Sequence, residues 1–238
     1  MLLETETNRL AEIAARSQYA KGLNSASIRY CFKVFQRHLV PGDLLELGPA
    51  EGVMTELLYG LGRELTLVER SSAFCESLRA RFPLARVANS LFEEYQPQRR
   101  FANILLGHVL EHVDDARATL RAVSEWLAPG GRVLAAVPNA RSLHRQAAVI
   151  MGLLREESQL NDADRGHGHR RVFDPESYRA TFLQAGLSVE IFGGYWLKPL
   201  SNPQLEAHWT PAMVDAFMQL GERYPDIAGE IYVVATRA

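Results

Sequence analysis

The sequence predicts an α/β fold, a doubly wound and mostly parallel sheet, and three observations carry that expectation. Short apolar runs of strand length alternate along the chain with stretches whose apolar residues recur at helical spacing. The first of these runs, LLEL at 44–47, breaks into Gly-Pro-Ala-Glu-Gly before a helical pattern begins at EGVMTELL. The chain has 238 residues, 47% hydrophobic and 23% charged, which suits one domain of this class with a small cap and is too short for two.

The elements follow in order. SASIRYCFKVFQRHL places Ile28, Cys31, Phe32, Phe35 and Leu39 on one helical face, with Ser25 or Ser27 available as its cap and Pro41-Gly42 ending it. DLLELG is the first strand, and Val53, Leu57, Leu58 and Leu61 mark the next helix. ELTLVE is a second strand, followed by Phe74, Leu78 and Phe82 at helical spacing, and ARVAN is a third. FANILLG is the fourth, leading to a helix through Leu120, Val123 and Leu127, an APGG turn and the fifth strand RVLAAVPN. Past Asn139 a helix runs through Leu143, Ala147, Ile150 and Leu153, then a polar stretch, NDADRGHGHRR. DPESYRATFLQAG has Asp174 as cap, Pro175 at its first position and Gly186 at its end. LSVEIF is a sixth strand, GGYWLKPLSNPQ a loop, TPAMVDAFMQLGERY a helix and EIYVVATR the last strand. Strands alternating with helices imply right-handed crossovers and a sheet covered on both faces. The whole of 1–238 is read as one domain, with N-terminal helices in 1–40 and a cap over the active face built from 140–170 and 193–204.

Bulk properties narrow the partners. A net charge of −2 and a pI near 6.4 give no reason to expect nucleic acid or an anionic membrane. The two cysteines, Cys31 and Cys75, lie in apolar helical patterns and read as buried free thiols in a reducing cytoplasm. The N-terminus lacks a signal-peptide pattern, and no apolar run approaches the ~20 residues that span a bilayer. The expected setting is cytoplasmic, with a small-molecule substrate; the N-terminal helices are the surface on which a homodimer would form.

Doubly wound sheets bind ligands beyond the carboxyl ends of their strands, so the first βα turn is the expected site. It lacks the G-x-G-x-x-G spacing of a dinucleotide site, which disfavours a nicotinamide oxidoreductase. Gly48 lets the chain leave the strand tightly, Ala50 keeps the approach open, and Gly52 lets the following helix lie close to a ligand. Glu69, ending the second strand seventeen residues beyond Gly52, is placed to accept two hydrogen bonds from ribose hydroxyls.

Together, E46-L-G-P-A-E-G52, LVE with Glu69, GHVLEHVDD (107–115), WLAPGGRV (126–133) and VPN (137–139) resemble the successive motifs of class I S-adenosylmethionine-dependent methyltransferases. The resemblance runs from about residue 25 to the C-terminus. It implies a seven-stranded sheet with an antiparallel last strand, and S-adenosylmethionine as cofactor. On that pattern Glu46, Gly48, Ala50, Gly52, Glu69 and Arg70 hold the cofactor, Asn89 or Ser90 with the backbone at Leu91 meets adenine, and Gly107 and His108 lie beside the methionyl part. Tyr19 is the aromatic residue expected to close over it. The chain departs from the pattern at Ala50, at Ala102 and in lacking an acid after the third strand.

Transfer of a methyl group from a sulfonium needs a nucleophile held in line and, where necessary, removal of one proton. The polar residues expected near that point include His108, Glu111, His112, Asn139, His167, His169 and Arg170, with Tyr178, Tyr195, Trp196, Ser201 and Asn202 completing the wall. Of these, His108, Asn139, His169 and Tyr178 are the expected catalytic groups. His108 and His112, four apart and joined by His167 and His169, raise the question of a metal; the expectation is that none is held and that Glu and His brace the loops. Arg170 and Arg171 suggest either an anion site or a hydrogen-bonded loop. Two other readings keep the cofactor: a cyclase that expels methylthioadenosine and forms azetidine-2-carboxylic acid, and a non-catalytic cofactor-binding subunit.

Overall fold

The computed structural model describes residues 20–238, so Tyr19 lies outside the described residues. Helix α1 spans Gly22–Gln36, followed by β1 (Leu44–Leu47), α2 (Val53–Tyr59), β2 (Leu65–Glu69), α3 (Ser72–Arg81) and β3 (Arg86–Asn89). Then come β4 (Phe101–Gly107), α4 (Ala116–Trp126), β5 (Leu127–Pro138), α5 (Leu143–Ile150), α6 (Asp162–His167) and α7 (Pro175–Gln184). The chain ends with β6 (Leu187–Tyr195), α8 (Asn202–Glu206), α9 (Pro211–Gly221), a 3-10 turn at Pro225–Ile227, and β7 (Glu230–Arg237).

The seven strands form one sheet in the order β3-β2-β1-β4-β5-β7-β6. β1 pairs in parallel with β2 and β4, as do β2 with β3 and β4 with β5; β7 runs antiparallel to both β5 and β6. The order reverses at β1, with β2 on one side and β4 on the other, which puts a crevice at the carboxyl ends of these strands.

Alternation along the strands sends side chains to two cores. Leu45, Leu47, Ile104, Leu106, Val133, Ala135 and Val137 join Leu120 and Val123 of α4 and Phe182 of α7 on one face. Leu44, Leu67, Leu105, Leu134 and Ala136 join Cys31, Val34 and Phe35 of α1, Leu58 of α2 and Leu78 of α3 on the other. Both cysteines are free and buried. Among the described residues no helix is long and apolar enough to cross a membrane.

Four local expectations need correction. Helix α1 begins before Ser25: Lys21 is its N-cap and makes no side-chain cap bond, while Ser27 is buried within the helix. Its open first turn is satisfied from a distance, by Glu206 Oε1 accepting from Leu23 N at 2.8 Å, a partner local sequence cannot reveal. The polar stretch after Leu160 holds α6, started by a reciprocal Asn161–Asp164 capping box and ended by Gly168 at φ +83°. The loop expected at 193–204 is partly regular, since β6 continues to Tyr195 and Ser201 starts α8. Finally, α5 ends at Ile150, leaving Leu153 exposed.

Candidate functional site

The turn after β1 takes left-handed backbone at three positions, Gly48 (φ +64°), Ala50 (+48°) and Gly52 (+76°). Ala50 is the costly one, because a Cβ disfavours that conformation. A Cβ at Gly48 would lie 3.1 Å from Val109 Cγ2, which keeps the turn close to the segment after β4. The room left by Gly52 is filled differently from the sequence expectation: Leu78 Cδ2 and Phe82 Cε2 of the α3 region would meet a Cβ at 2.9 and 3.2 Å. Gly52 therefore lets α2 pack on α3.

Glu69 closes β2 directly across this turn. Its carboxylate is buried and accepts from Ala50 N at 3.1 Å and from Ser71 N at 2.7 Å. Burial raises its pKa, an effect those backbone donors oppose. Asn89 stands behind it, donating to the carbonyls of Glu69 (3.0 Å) and Arg70 (2.7 Å) and accepting from Ser72 Oγ (3.1 Å). That amide braces the end of β2. Ser90 N donates to the Glu69 carbonyl at 3.0 Å and its hydroxyl to Leu91 O at 2.9 Å.

Glu46 lies beneath the turn, 4% exposed, with its Oε2 accepting from Thr55 Oγ1 at 2.7 Å. Burial pushes its pKa up to about 8, a rise the Thr55 hydroxyl opposes. Unfolded, the group returns toward its ordinary value of 4.5, so the folded chain holds a proton over that interval that the unfolded chain releases. The stability tied to the neutral form is fully present below 4.5 and is lost as pH rises through about 8. Glu46→Gln fixes the neutral shape, so it is expected to melt at least ~2 °C above the parent at pH 8 and level with it at pH 4.5. Thermal denaturation at the two pH values checks this; parallel pH slopes would mean that Glu46 is ionised in the fold.

Beyond β4 the backbone turns sharply. Gly107 faces Met54, whose Cε would sit 2.9 Å from an added Cβ. His108 adopts φ +60°, held by its N–H to Ala136 O at 2.9 Å. Its Nε2 shares a hydrogen bond of 3.1 Å with the Tyr195 hydroxyl, and its Nδ1 stands 3.6 Å from Glu111 Oε1 and 3.7 Å from Glu230 Oε2. Burial lowers the proton affinity of this imidazole, but Glu230 and Glu111 outweigh it and the net pKa is raised.

The structure brings His108, Glu111, His112 and His169 together. The rings of His112 and His169 meet edge to face at 4.8 Å, and His167 stacks on His169 at 5.9 Å. His169 Nδ1 is 3.4 Å from Asp164 Oδ1, and Asp164 is held by Arg145 at 3.0 Å. Burial, with the neighbouring His169, depresses His112 to about 4 against the pull of Glu111. One ligand atom each from Glu111, His112 and His169 lies within 4.8 Å of the others.

Two expected catalytic groups have structural surroundings. Asn139 is 1% exposed, and its amide donates to the carbonyls of Asp226 (3.0 Å) and Ala228 (2.9 Å) while accepting from Arg141 N (2.9 Å). All three partners are backbone, so this side chain ties the end of β5 to the turn before β7. Tyr178 is fully buried between Phe173 and Phe182, with ring centroids at 5.3 and 5.2 Å. Trp196 likewise belongs to the core, at 1% exposure, and Asn202 donates to Asn24 Oδ1 at 2.9 Å. Arg170 and Arg171 resolve as loop braces: Arg170 Nε donates to His112 O at 3.0 Å, and Arg171 donates to Leu110 O at 3.0 Å and Asp114 O at 2.7 Å.

Sequence reasoning missed Glu230, Asp164 and Lys198. Glu230 carried a signal, as the one acid opening an otherwise apolar strand. Asp164 had the N-x-x-D spacing of a capping box. Lys198, 4.9 Å over the Trp196 ring with a pKa lowered by burial, carried none.

Comparison with known proteins fits this geometry. The family described as "Methyltransferase domain" matches residues 16–190. The ubiquinone biosynthesis O-methyltransferase of Xanthomonas campestris pv. campestris (strain B100) is 25% identical over 218 residues, 84% of this chain and 87% of that protein. Its namesake in Aeromonas salmonicida is 25% identical over 167 residues, 67% of this chain and 68% of that one. Among solved structures, an S-adenosylmethionine-dependent methyltransferase from Clostridium acetobutylicum matches with a TM-score of 0.59 at 15% identity, covering 97% of this chain and 98% of that one. The glycopeptide N-methyltransferase MtfA complexed with S-adenosylmethionine matches with a TM-score of 0.58 at 16% identity, covering 87% and 92%. At such identities the structures show a shared fold.

Proposed function

We propose that this chain, which belongs to the methyltransferase domain family, transfers the methyl group of S-adenosylmethionine to a small-molecule acceptor. The observation that carries this reading is Glu69: a buried carboxylate ending β2, 3.1 Å from Ala50 N across a turn of left-handed residues. In this reading its oxygens exchange their turn amides for the two ribose hydroxyls, a charge-assisted bidentate contact. Gly48 and Ala50 let the nucleoside approach the backbone, with Glu46 and Arg70 beside it. Because Asn89 is committed to the β2 end, Ser90 and Leu91 are the better adenine neighbours. Gly107 and His108 flank the methionyl end.

The reaction needs little covalent help from the protein. A lone pair on the acceptor attacks the methyl carbon, the carbon–sulfur bond breaks, and its electron pair stays on sulfur as S-adenosylhomocysteine. The acceptor's proton leaves to solvent. The chain's contribution is to hold the two reactants in line and exclude competing geometries. His108, fixed by Tyr195 and by its own backbone bond, stands at the end of β4 where acceptor and methyl group would meet. The short segments 140–170 and 193–204 suit a small acceptor. The relatives' names make a hydroxyl the first acceptor class to assay.

The test incubates the purified protein with S-adenosylmethionine and panels of phenols, catechols and amines, following products by mass spectrometry. S-adenosylhomocysteine released with a hydroxyl acceptor is the expected result. Methylthioadenosine and azetidine-2-carboxylic acid formed from the cofactor alone would replace methyl transfer with cyclisation. No binding of S-adenosylmethionine by calorimetry would remove the cofactor reading altogether.

A further inference from the structure

Lys198 lies half-buried in the segment joining β6 to α8. Its stem is fixed by its neighbours. A Cβ at Gly229 would meet Lys198 Cβ at 3.2 Å and Cδ at 3.7 Å, and Gly229 N donates to Trp196 O at 2.7 Å. The ammonium ends 4.9 Å over the centroid of the Trp196 ring, and Trp196 is itself held at φ +65°. Gly229 precedes Glu230, whose Oε2 lies 3.7 Å from His108 Nδ1, so the lysine stands beside the polar floor of the site.

The charges around it are matched without it. Glu111 and Glu230 face the His108 ring at 3.6 and 3.7 Å. Asp164 takes Arg145 at 3.0 Å and His169 at 3.4 Å. Arg145 uses its other donors on Glu157 O at 2.7 Å and on Gln159 O. Lys198 is left over: among the described residues its Nζ has neither a hydrogen bond nor an ion pair. Burial lowers its pKa, and Glu230 and Asp164 oppose that only from beyond pairing distance. Buried charges in folded proteins are otherwise paired. Trp196 Nε1, which can only donate, is also buried with no acceptor. His144, whose pKa burial and Lys198 push down to about 3, has a buried Nδ1 without a partner. This corner of the fold thus holds a cation and a donor that no group of the chain answers, an arrangement that an anion completes.

We propose that Lys198 binds a carboxylate carried by the acceptor and so selects which acceptors this chain takes. A carboxylate brings the single charge that one ammonium balances, and it accepts a charge-assisted hydrogen bond from it. A phosphate dianion would call for a second cation, and Arg145 is already committed. Lys198 packs on the residue before Glu230, and His108 faces the Glu230 carboxylate. An acceptor anchored at the lysine therefore presents its hydroxyl toward the end of β4, with one rotation already fixed. The lysine makes and breaks no bond: it touches the acceptor away from the reacting oxygen. That the carboxylate belongs to a methyl acceptor rests on the methyl-transfer reading above; the carboxylate site itself does not.

The test reads binding apart from activity, on the full chain with and without S-adenosylhomocysteine. Hydroxybenzoates and dihydroxybenzoates are titrated by calorimetry beside their carboxamides, which match them in shape and lack the charge. The parent is expected to bind at least one acid ~10-fold or more tightly than its amide, the size of one charge-assisted hydrogen bond. Lys198→Met keeps a stem over Trp196 and removes the charge, so the preference should vanish; Lys198→Arg keeps the charge and should keep the preference. Lys33→Met, at an exposed lysine of α1, should bind as the parent does. Because the ammonium has no partner in the fold, Lys198→Met should melt level with the parent or above it, which separates lost recognition from lost folding. Acids bound no better than their amides, binding of neither included, overturn the site, as does a preference that survives in Lys198→Met. A Lys198-dependent preference in a chain that binds no S-adenosylhomocysteine would keep the carboxylate site and lose only its place in methyl transfer.

Discussion

Glu69→Ala is expected to weaken S-adenosylmethionine and S-adenosylhomocysteine binding alike, by about 100-fold or more. Two charge-assisted hydrogen bonds to the ribose contribute roughly 1.5–3 kcal/mol each, and each 1.36 kcal/mol is about a factor of ten. The effect on folding should be much smaller. The carboxylate is buried with a raised pKa, so its loss removes a desolvation cost while orphaning the N–H groups of Ala50 and Ser71. Calorimetry with S-adenosylhomocysteine, beside thermal melting of both proteins, separates the two. Undiminished affinity at an unchanged melting temperature would move the ribose away from Glu69. Affinity and melting temperature collapsing together would make Glu69 a structural group of the turn.

The sheet was legible because its pattern is local and redundant. Each strand announces itself by an apolar run ending in Gly, Asn or a charge, and each crossover by a helical stripe. The two leucines Leu44 and Leu45 illustrate how much a strand pattern fixes: adjacent in sequence, they enter opposite cores. What the sequence could not show were long-range partners. Helix α1 is capped by Glu206, 183 residues away from Leu23, and no window around Ser25 contains that information. The β6 extension to Tyr195 similarly depends on pairing with Glu230 across the sheet edge.

The site divides along the same line. The first βα turn and Glu69 were readable because backbone conformation and strand-end position are encoded nearby. Asn139 was not, because its surroundings are carbonyls of residues 226 and 228, far along the chain. Tyr178 looked polar by type but is packed by Phe173 and Phe182. The gathering of Glu111, His112 and His169 with Asp164 needed the fold, since the segment carrying His169 is fastened to the other by arginine-to-carbonyl bonds. The same arginines had suggested an anion site in the sequence; their donors are used inside the loop.

The wall that places Tyr195 against His108 depends on a glycine outside the site, and Gly221→Ala should show it. Gly221 ends α9, and a Cβ there would fall 2.2 Å from Trp196 N, 2.5 Å from Tyr195 C and 2.7 Å from Leu197 N. These are backbone atoms, which cannot rotate away. The same contact carries two hydrogen bonds, Trp196 N to Met218 O at 3.0 Å and Leu197 N to Phe217 O at 2.8 Å. Trp196 itself sits at φ +65°, a conformation its surroundings must enforce. Overpacking of this kind costs about 1–3 kcal/mol, and separating the two hydrogen bonds adds roughly 1 kcal/mol each. At ~2–4 °C per kcal/mol for a chain of this size, the melting temperature should fall by about 6–20 °C. The displaced strand end also moves Tyr195 from its 3.1 Å contact with His108, so methyl-transfer turnover should fall more than cofactor affinity, whose proposed ribose contact, Glu69, lies at the far side of the turn after β1. Gly166→Ala supplies the opposite sign: it lies in α6 with nothing within 4 Å of an added Cβ and no positive φ, so alanine should stabilise by about 0.5–1 kcal/mol. Equal and small effects at both glycines would show that α9 is not locked to the β6 end by backbone contact; a large fall at Gly221 alone ties the geometry of the site to that contact.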